Sequence, residues 1–372
     1  MRRASHIDMR FKSFGSGTTG PYGGDLSPSF HPSHPAMTVI THHLQRRAAL
    51  LLGPLLLASG LLGTPAAQAE EPWPSKEIHL VVPWAAGGPS DAFARILSRE
   101  LEATLGKPVL VENKPGATGV IGVRHVARSK ADGHTLLFGN TVSLVGSVVS
   151  SNEPVQFDPV KDFTPVALVA ETAYILSAHP STGLKRYQDF LARIKDRNQP
   201  PLAVGSTGNG ATSDILYDWL IHKHQANLTK VAFKGTGPLV ADLIAGHLPV
   251  GTAGLSLAAA QYKEGKLTPL VVVGKNRLPE LPEVPAVTEF GLNEPDLTVW
   301  DGLFAPAGTP PAVVAALTAA VHKAVQGAAF KDFAQKNGSS AVFIPADKAA
   351  ARLHKDLVER QRFKTQYPAA PY

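Results

Sequence analysis

The chain has 372 residues, of which 18% are charged, with 36 lysines and arginines against 30 aspartates and glutamates. It contains no cysteine, which excludes disulfides, thiolate metal sites and a cysteine nucleophile. Six of the basic residues and two of the acidic ones lie in the first 69 positions, so the remainder carries a net charge of only +2. Such a balance gives no reason to expect nucleic acid or an anionic membrane surface as a partner.

The N-terminal segment has the parts of a secretory signal peptide. A basic stretch, Gln45-Arg46-Arg47, precedes an apolar run over residues 48–62, and Ala67-Gln68-Ala69 then forms a small-x-small cleavage pattern. The run is shorter than the roughly 20 residues that a membrane-spanning helix needs. We therefore expect residues 37–69 to be a signal peptide cleaved near Ala69, and the mature protein to be periplasmic.

Residues 1–36 are rich in glycine, serine, proline and histidine and show no hydrophobic periodicity. We expect them to be a non-native or disordered extension, with Met37 as an alternative start to Met1. The adjacent Arg46 and Arg47 leave both the general secretory and the twin-arginine export routes open.

The rest of the chain alternates short apolar runs with amphipathic stretches, which is typical of α/β architecture. The predicted strands are residues 80–82, 109–111, 135–138, 166–170, 173–177, 202–204, 270–273 and 298–304. The predicted helices are residues 93–105, 118–127, 187–194, 212–224, 240–245, 310–326 and 346–363. Thr309 is expected to cap the helix at 310 and Gly327 to end it.

The most informative segment is the first turn, Pro83-Trp84-Ala85-Ala86-Gly87-Gly88-Pro89-Ser90-Asp91. It predicts a strand, a glycine-bearing connection and a helix that Ser90 or Asp91 can cap. Free N–H groups and the positive end of the helix dipole favour an anion at such a point. The two glycines let a ligand approach the backbone. An ordinary strand-to-helix connection without a ligand is the alternative.

A second turn, Gly205-Ser206-Thr207-Gly208-Asn209-Gly210, repeats this design between a strand and a helix. Two helix starts able to bind anions, one in each half of the chain, are expected to face each other in a hinged, two-lobed protein.

Several ordered motifs resemble one family of proteins. They include the first turn, Glu112-Asn113-Lys114-Pro115-Gly116, Asp132-Gly133-His134-Thr135, Phe157-Asp158-Pro159 and Phe304-Ala305-Pro306-Ala307-Gly308-Thr309-Pro310. With these motifs the chain resembles the periplasmic solute receptors of the tripartite tricarboxylate transporter system, the Bug or TctC group. The resemblance implies a two-lobed periplasmic-binding-protein (Venus flytrap) fold, each lobe a mixed sheet flanked by helices. It divides the chain into lobe 1 (70–170), lobe 2 (171–296) and a return to lobe 1 (297–372).

The resemblance also implies a small carboxylate bound between the lobes, with one carboxylate held by backbone amides and waters at the first turn. The expected partners are this small organic solute and the membrane subunits of a transporter, for a protein that is a monomer and uses no cofactor or metal. The candidate ligand-binding residues are Trp84, Ala85, Ala86, Gly87, Gly88, Ser90, Asp91, Ser143, Ser206, Thr207, Gly208, Gly210, Ala211, Asp214 and Lys234.

Some positions depart from the family pattern. Ala211 and Asp214 stand where the family usually has threonine and histidine, His134 replaces a tyrosine, and Gly146 replaces a common asparagine. A carboxylate at Asp214 would repel an anion if it faced the pocket; otherwise it caps the helix or pairs with a cationic group of the ligand. A solute other than the family's typical dicarboxylate is therefore a possibility that the sequence leaves open.

The remaining alternatives concern the roles of Asp91 and Lys234, enzymatic activity, and signalling in place of transport. Asp91 is expected either to cap its helix or to receive a ligand ammonium group, and Lys234 either to support the pocket wall or to form a surface ion pair. No nucleophile elbow, P-loop, zinc-binding helix or dinucleotide fingerprint occurs, so we expect no enzymatic activity. A receptor that signals to a sensor kinase or regulator is the alternative to a transport role.

Overall fold

The computed structural model describes residues 72–151, 153–208 and 210–371. The described residues belong to one compact unit. The predictions for residues 1–69 and for Asn209 lie outside these ranges.

The strands within these ranges are β1 (Ile78–Val82), β2 (Val109–Asn113), β3 (Thr135–Asn140), β4 (Phe163–Thr172), β5 (Tyr174–Ala178), β6 (Leu202–Ser206), β7 (Leu228–Ala232), β8 (Val250–Gly254), β9 (Thr268–Val273), β10 (Val299–Pro306) and β11 (Ser339–Pro345). The helices are α1 (Pro89–Leu105), α2 (Val120–Ala127), α3 (Ser147–Ser150), α4 (Tyr187–Lys195), α5 (Thr212–His224), α6 (Thr236–Ile244), α7 (Leu255–Lys263), α8 (Pro311–Gln326), α9 (Ala328–Lys336) and α10 (Ala346–Gln366). A wider helical segment, Val142–Gly146, precedes α3.

The strands form two mixed sheets. The first has the order β11-β4-β10-β3-β1-β2, in which β1 pairs in parallel with β2 and β3 while β10 and β11 run antiparallel to β4. The second has the order β7-β6-β8-β5-β9, in which β6 pairs in parallel with β7 and β8 while β5 runs antiparallel to β8 and β9. The chain passes from the first sheet to the second at Ala173 and is back in the first sheet at Val299.

The strand directions bring the functional turns to one edge of each sheet. In the first sheet, β1 and β3 end at the edge where β4 ends and β10 begins, as the pairs of Asp301 with Asn140 and with Ala170 show. In the second sheet, β6 and β8 end at the edge where β5 begins. Ligands of open α/β sheets bind outside the carboxyl ends of the strands, so each turn lies where a binding site is expected.

Two-residue alternation explains how helices cover both faces of the first sheet. Leu80 and Val82 of β1 pack with α1, α8 and α9 in one core, whereas Val81 packs with α2 and α10 in the other. The second sheet is covered likewise, with α4 and α5 on one face and α6 and α7 on the opposite one.

The C-terminal helix packs against both sheets. Leu353 of α10 lies in a core of the first sheet, and Phe363, ten residues later, lies in a core of the second. Because one helix contributes to both cores, it links the two sheets.

One arginine of this helix ties the two crossing points together. Arg352 donates to Asp296 at 2.9 Å, to Asp356 at 3.0 Å and to Glu171 at 3.4 Å. Glu171 lies at the end of β4, and Asp296 lies just before the chain re-enters the first sheet, so a single guanidinium holds both connections. Asp356 in turn accepts from the indole N–H of Trp300 at 2.7 Å.

The predicted α/β pattern is confirmed, and α5 has the bounds that the sequence indicated. The expected cap at Thr309 is wrong: its hydroxyl donates to the Pro306 carbonyl at 2.8 Å, Pro310 is the cap residue, and the helix begins at Pro311. Strands β7, β8 and β11 and helices α7 and α9 were not among the predicted elements. Among the described residues no single helix is both long and apolar enough to cross a membrane, although α8 and α9 together, bent by 64°, meet that criterion.

Replacing Arg352 with methionine is expected to lower the free energy of unfolding on the order of 3 kcal/mol, because three carboxylates are left without their common cation. Urea denaturation measures this loss. Arg186→Met, which removes an exposed i,i+3 pair with Asp189, is the control and should change stability by less than about 1 kcal/mol. Equal effects of the two substitutions would contradict the role of Arg352.

Candidate functional site

Asp91 organises the first turn from inside the helix. It is 3% exposed and accepts hydrogen bonds from the Gly87 N–H at 2.9 Å, from Arg95 Nε at 3.0 Å and from Asn113 Nδ2 at 2.9 Å. Burial opposes ionisation, but the three donors outweigh it and hold the pKa of Asp91 below its ordinary value. The carboxylate is therefore charged at neutral pH and already paired with Arg95.

The expected side-chain cap on α1 is wrong. The cap residue is Gly88, with no side-chain hydrogen bond to the helix start, and Pro89 occupies the first helical position. Asp91 instead reaches back from the third helical position to the Gly87 N–H, two residues before the helix. The Asp91 carboxylate thereby holds the loop in place. Gly87 in this loop has a φ of +84°, which glycine adopts without strain.

The middle of the first turn is open to solvent. Ala85, Ala86 and Gly87 are exposed, and the backbone N–H groups of Ala85 and Ala86 form no hydrogen bond within the described ranges. Trp84 packs its ring against the core, and its carbonyl accepts from Asn113 at 3.0 Å. The turn thus exposes the unpaired N–H groups of Ala85 and Ala86 to solvent on a backbone held by Asp91 and Asn113.

A buried polar cluster lies directly behind this turn. Ser90 donates to Asp301 Oδ1 at 2.6 Å, and Asn140 Nδ2 donates to Ser90 at 3.1 Å. Burial raises the pKa of Asp301 to about 6, against the opposing effect of hydrogen bonds from Ser90 and Asn140. Sequence reasoning missed Asp301, although a single acid inside the apolar run of β10 is an unusual feature that could have indicated it.

Tyr174 places the second sheet next to this cluster. Burial raises the pKa of Tyr174 to about 12, and the nearby Asp301 carboxylate adds to the rise. Tyr174 begins β5 and Asp301 belongs to β10, so the two sheets meet at this point.

Ser143 is buried and bonded locally. Its hydroxyl donates to the Asn140 carbonyl at 3.1 Å, and its N–H donates to Asn140 Oδ1 at 2.9 Å. These bonds shape the turn after β3, so the observed contacts of Ser143 support the end of the strand.

The second turn is also organised by an aspartate in the third position of its helix. Asp214 is 2% exposed, accepts from the Ser206 hydroxyl, and lies 4.0 Å from Lys230 Nζ. Ser206 in turn accepts from the Gly208 N–H at 3.0 Å. The cap residue of α5 is Ala211, without a side-chain cap bond, so the capping role considered for Asp214 is wrong. The carboxylate is held inside the lobe by groups of the chain itself.

The second turn contacts the segment that follows β3 of the first sheet. A Cβ atom built on Gly146 would lie 2.5 Å from the Gly210 carbonyl oxygen, and one built on Gly210 would lie 2.4 Å from the Gly146 oxygen. A Cβ on Gly208 would lie 3.9 Å from Thr118 Oγ1. The two backbones are in direct contact at Gly146, so a larger residue there would force them apart.

Two other positions lie away from these contacts. His134 precedes β3 at its amino end and packs against Trp73, with ring centroids 6.1 Å apart. The six-residue strand spans roughly 20 Å, so His134 does not shape the site at the opposite end. Lys234 is exposed and forms no ion pair with a described residue, so the surface-pair alternative is not observed. Its expected place at the pocket wall stays a prediction.

The arrangement has the chemistry of a binding site. Each sheet contributes a strand-to-helix turn held by a buried aspartate, and within the described ranges three or more metal-ligating side chains do not come together. The first-turn residues 84–91 lie at the carboxyl edge of one sheet, and residues 206, 207, 208, 210, 211 and 214 lie at that edge of the other.

The raised pKa of Asp301 gives a pH prediction. Because the folded chain binds this proton more tightly than the unfolded chain, the contribution of Asp301 to wild-type stability should fall as the pH rises from about 4 to about 7. Asp301→Asn removes this dependence and should gain on the order of 3 kcal/mol relative to wild type at neutral pH, with little difference at pH 4. Urea denaturation across this pH range checks the prediction, with the exposed Asp332→Asn as control. A constant difference between wild type and Asp301→Asn would contradict it.

Comparisons with known proteins agree with this geometry. The family model described as "Tripartite tricarboxylate transporter family receptor" matches residues 93–365. The protein BugT of Bordetella pertussis is 27% identical over 295 residues, covering 79% of this chain and 90% of its own length. Among solved structures, MatC (Rpa3494) from Rhodopseudomonas palustris with bound malate has 31% identity and a TM-score of 0.70, covering 78% of this chain and 99% of its own.

The periplasmic binding protein BugD has 26% identity and a TM-score of 0.71, covering 80% of this chain and 99% of its own. With the two mixed sheets and their facing turns, these similarities bear out the predicted two-lobed fold and the predicted family. The chain belongs to the tripartite tricarboxylate transporter receptors, the TctC or Bug family of periplasmic solute-binding proteins.

Proposed function

We propose that this chain is exported to the periplasm, captures a small carboxylate between its lobes and delivers it to a tripartite tricarboxylate-type membrane transporter. The observation that carries the proposal is the exposed first turn, whose Ala85 and Ala86 N–H groups are unpaired and precede a helix. Malate bound in MatC, a relative at 31% identity, supports a carboxylate as the solute class.

The first turn supplies the affinity for the carboxylate. Asp91 and Arg95 neutralise each other, so the approach to the turn carries no net charge from this pair. The helix dipole of α1 and the unpaired N–H groups then favour binding of one carboxylate group, so that no arginine is needed to bind it at this turn. Gly88 leaves this approach free of a side chain.

Closure of the lobes completes the site. The second turn, with Thr207, Gly208, Gly210 and Ala211, lies toward the first sheet. We expect the direct contact of Gly210 with Gly146 to form in the closed state. A ligand stabilises this state only by its differential affinity for closed over open. The hinge is Ala173 together with the segment before Val299, which Arg352 links.

This proposal includes a division of the chain. The sequence predicts lobe 1 at residues 70–170 and 297–372 and lobe 2 at residues 171–296. Because β4 of the first sheet extends to Thr172, we place the first crossing at Ala173 and include residues 171 and 172 in lobe 1. Residues 37–69 serve as the export signal. The receptor acts as a monomer and without catalysis, since family membership supports binding and transport as its role.

Gly88→Val is expected to weaken carboxylate binding at least about tenfold, or 1.4 kcal/mol. The backbone of Gly88, with φ −81° and ψ 169°, accepts any residue, so the fold should be retained while the side chain obstructs the turn. Isothermal titration with malate, succinate, citrate, glutamate and benzoate measures the loss. Gly87→Val is a less clean test, because its φ of +84° strains a side chain whatever the space.

The control is Ala103→Val, at the exposed far end of the same helix, which should bind like wild type. If Gly88→Val and Ala103→Val both bind the best carboxylate with wild-type affinity, the first turn is not the anion site.

A further inference from the structure

A buried arginine next to the second turn has two donors without partners. Arg360 of α10 is 2% exposed, and its Nη1 donates to the Gly210 carbonyl at 3.1 Å. Its Nε and Nη2 atoms are buried and form no hydrogen bond with the residues that the structure describes. Burial lowers the pKa of Arg360 to about 10, so the guanidinium is still charged at neutral pH. A buried charge without a partner is strongly unfavourable, which points to a missing anion.

The acids of the chain near Arg360 are engaged elsewhere. Asp356 accepts from Arg352 and from Trp300, and Asp296 accepts from Arg352 at 2.9 Å. These bonds hold both carboxylates at the hinge.

Two further acids are turned toward a lysine. Asp218 lies 3.2 Å from Lys230 Nζ, and Asp214 lies 4.0 Å from the same atom. Asp218 also accepts from the Ala370 N–H at 3.0 Å.

The two unpaired atoms form the edge of a guanidinium that matches a carboxylate. Nε–H and Nη2–H point in parallel and bind both oxygens of one carboxylate at once. The chain itself contains such a pair: Arg277 Nε donates to Glu289 Oε1 at 2.8 Å, and Arg277 Nη2 donates to Oε2 at 2.6 Å. Arg360 offers the same edge without the acid.

Arg360 also lines a cavity of about 330 Å³ between α3, α5 and α10. Because one water occupies about 30 Å³ of liquid, the cavity has room for a small organic acid. Val149, Ile215 and Phe363 supply apolar lining, which suits the hydrocarbon part of such an acid better than an inorganic ion. Asp214 and Asp218 also line the cavity, and their carboxylates lie 4.0 and 3.2 Å from Lys230 Nζ. Lys364, whose Nζ donates to the Val149 carbonyl at 2.6 Å, adds a second positive charge.

We propose that this cavity is a second anion site, in which the Nε and Nη2 donors of Arg360 bind the carboxylate of a small organic acid. The cavity is lined by Gly146 from the first sheet's side, by Gly210 from the second turn and by the helix that packs on both sheets. Its occupant therefore stabilises the contact between the lobes. The carboxylate has two sources, a free monocarboxylate or the distal carboxylate of the transported solute.

The test is a thermal-shift and calorimetric titration of the purified chain with sodium acetate and, separately, with malate and succinate, at constant ionic strength. Wild type is compared with Arg360→Met, with Arg360→Lys, which keeps the charge but loses the paired donors, and with Arg362→Met. Arg362 is an exposed arginine of the same helix, paired with Glu294, and is the matched control.

We expect both Arg360 variants to weaken acetate binding at least tenfold while Arg362→Met binds like wild type, which assigns the site to a free monocarboxylate. If acetate has no effect but a dicarboxylate binds more weakly to Arg360→Lys, the solute's distal carboxylate is the occupant. Binding that is equal in wild type and both Arg360 variants, or no binding of any of these acids, overturns the proposal. The Gly88→Val variant distinguishes the two sites. If acetate binds to Gly88→Val but not to Arg360→Lys, acetate binding depends on Arg360 and not on the first turn.

Discussion

The arrangement of the two sheets depends on the contacts of one guanidinium. Arg352 holds Glu171 and Asp296, which flank the two points where the chain crosses between sheets, and Asp356 on its own helix. Since α10 also packs in a core of each sheet, the crossings are fixed to a rigid element. The turns at the carboxyl edges of the sheets are therefore held in a defined geometry, and in the proposed function the two connections are the hinge.

The two strand-to-helix turns share a local design in which a buried aspartate of the helix holds the loop that precedes it. In each, an aspartate at the third helical position holds the preceding loop, Asp91 through the Gly87 N–H and Asp214 through Ser206. Both carboxylates are neutralised inside the chain, by Arg95 and Lys230. At the first turn the exposed Ala85 and Ala86 N–H groups remain unpaired. In the proposed function, these groups and the dipole of α1 give the turn its preference for an anion.

Local patterns predicted those parts of the structure that local chemistry determines. The periodicity of α5, the glycine turns and the strand at Ile78–Val82 were all readable, because the hydrophobic repeat and the turn residues lie within a few positions. The role of Asp301 was not, because its partner is set by packing: Asp301 accepts from Ser90, which lies 211 positions away in the sequence. The edge strand β7 lacks the apolar run that indicates a strand, because its one buried position is occupied by Lys230.

A crystal structure of the chain with the carboxylate that binds it most tightly would show directly whether the first turn is the anion site. We expect a carboxylate of the ligand within hydrogen-bonding distance of the Ala85 and Ala86 N–H groups, with residues 206–211 closing over the rest of the ligand. A carboxylate held by side chains away from the first turn, with those N–H groups open to water, would contradict it.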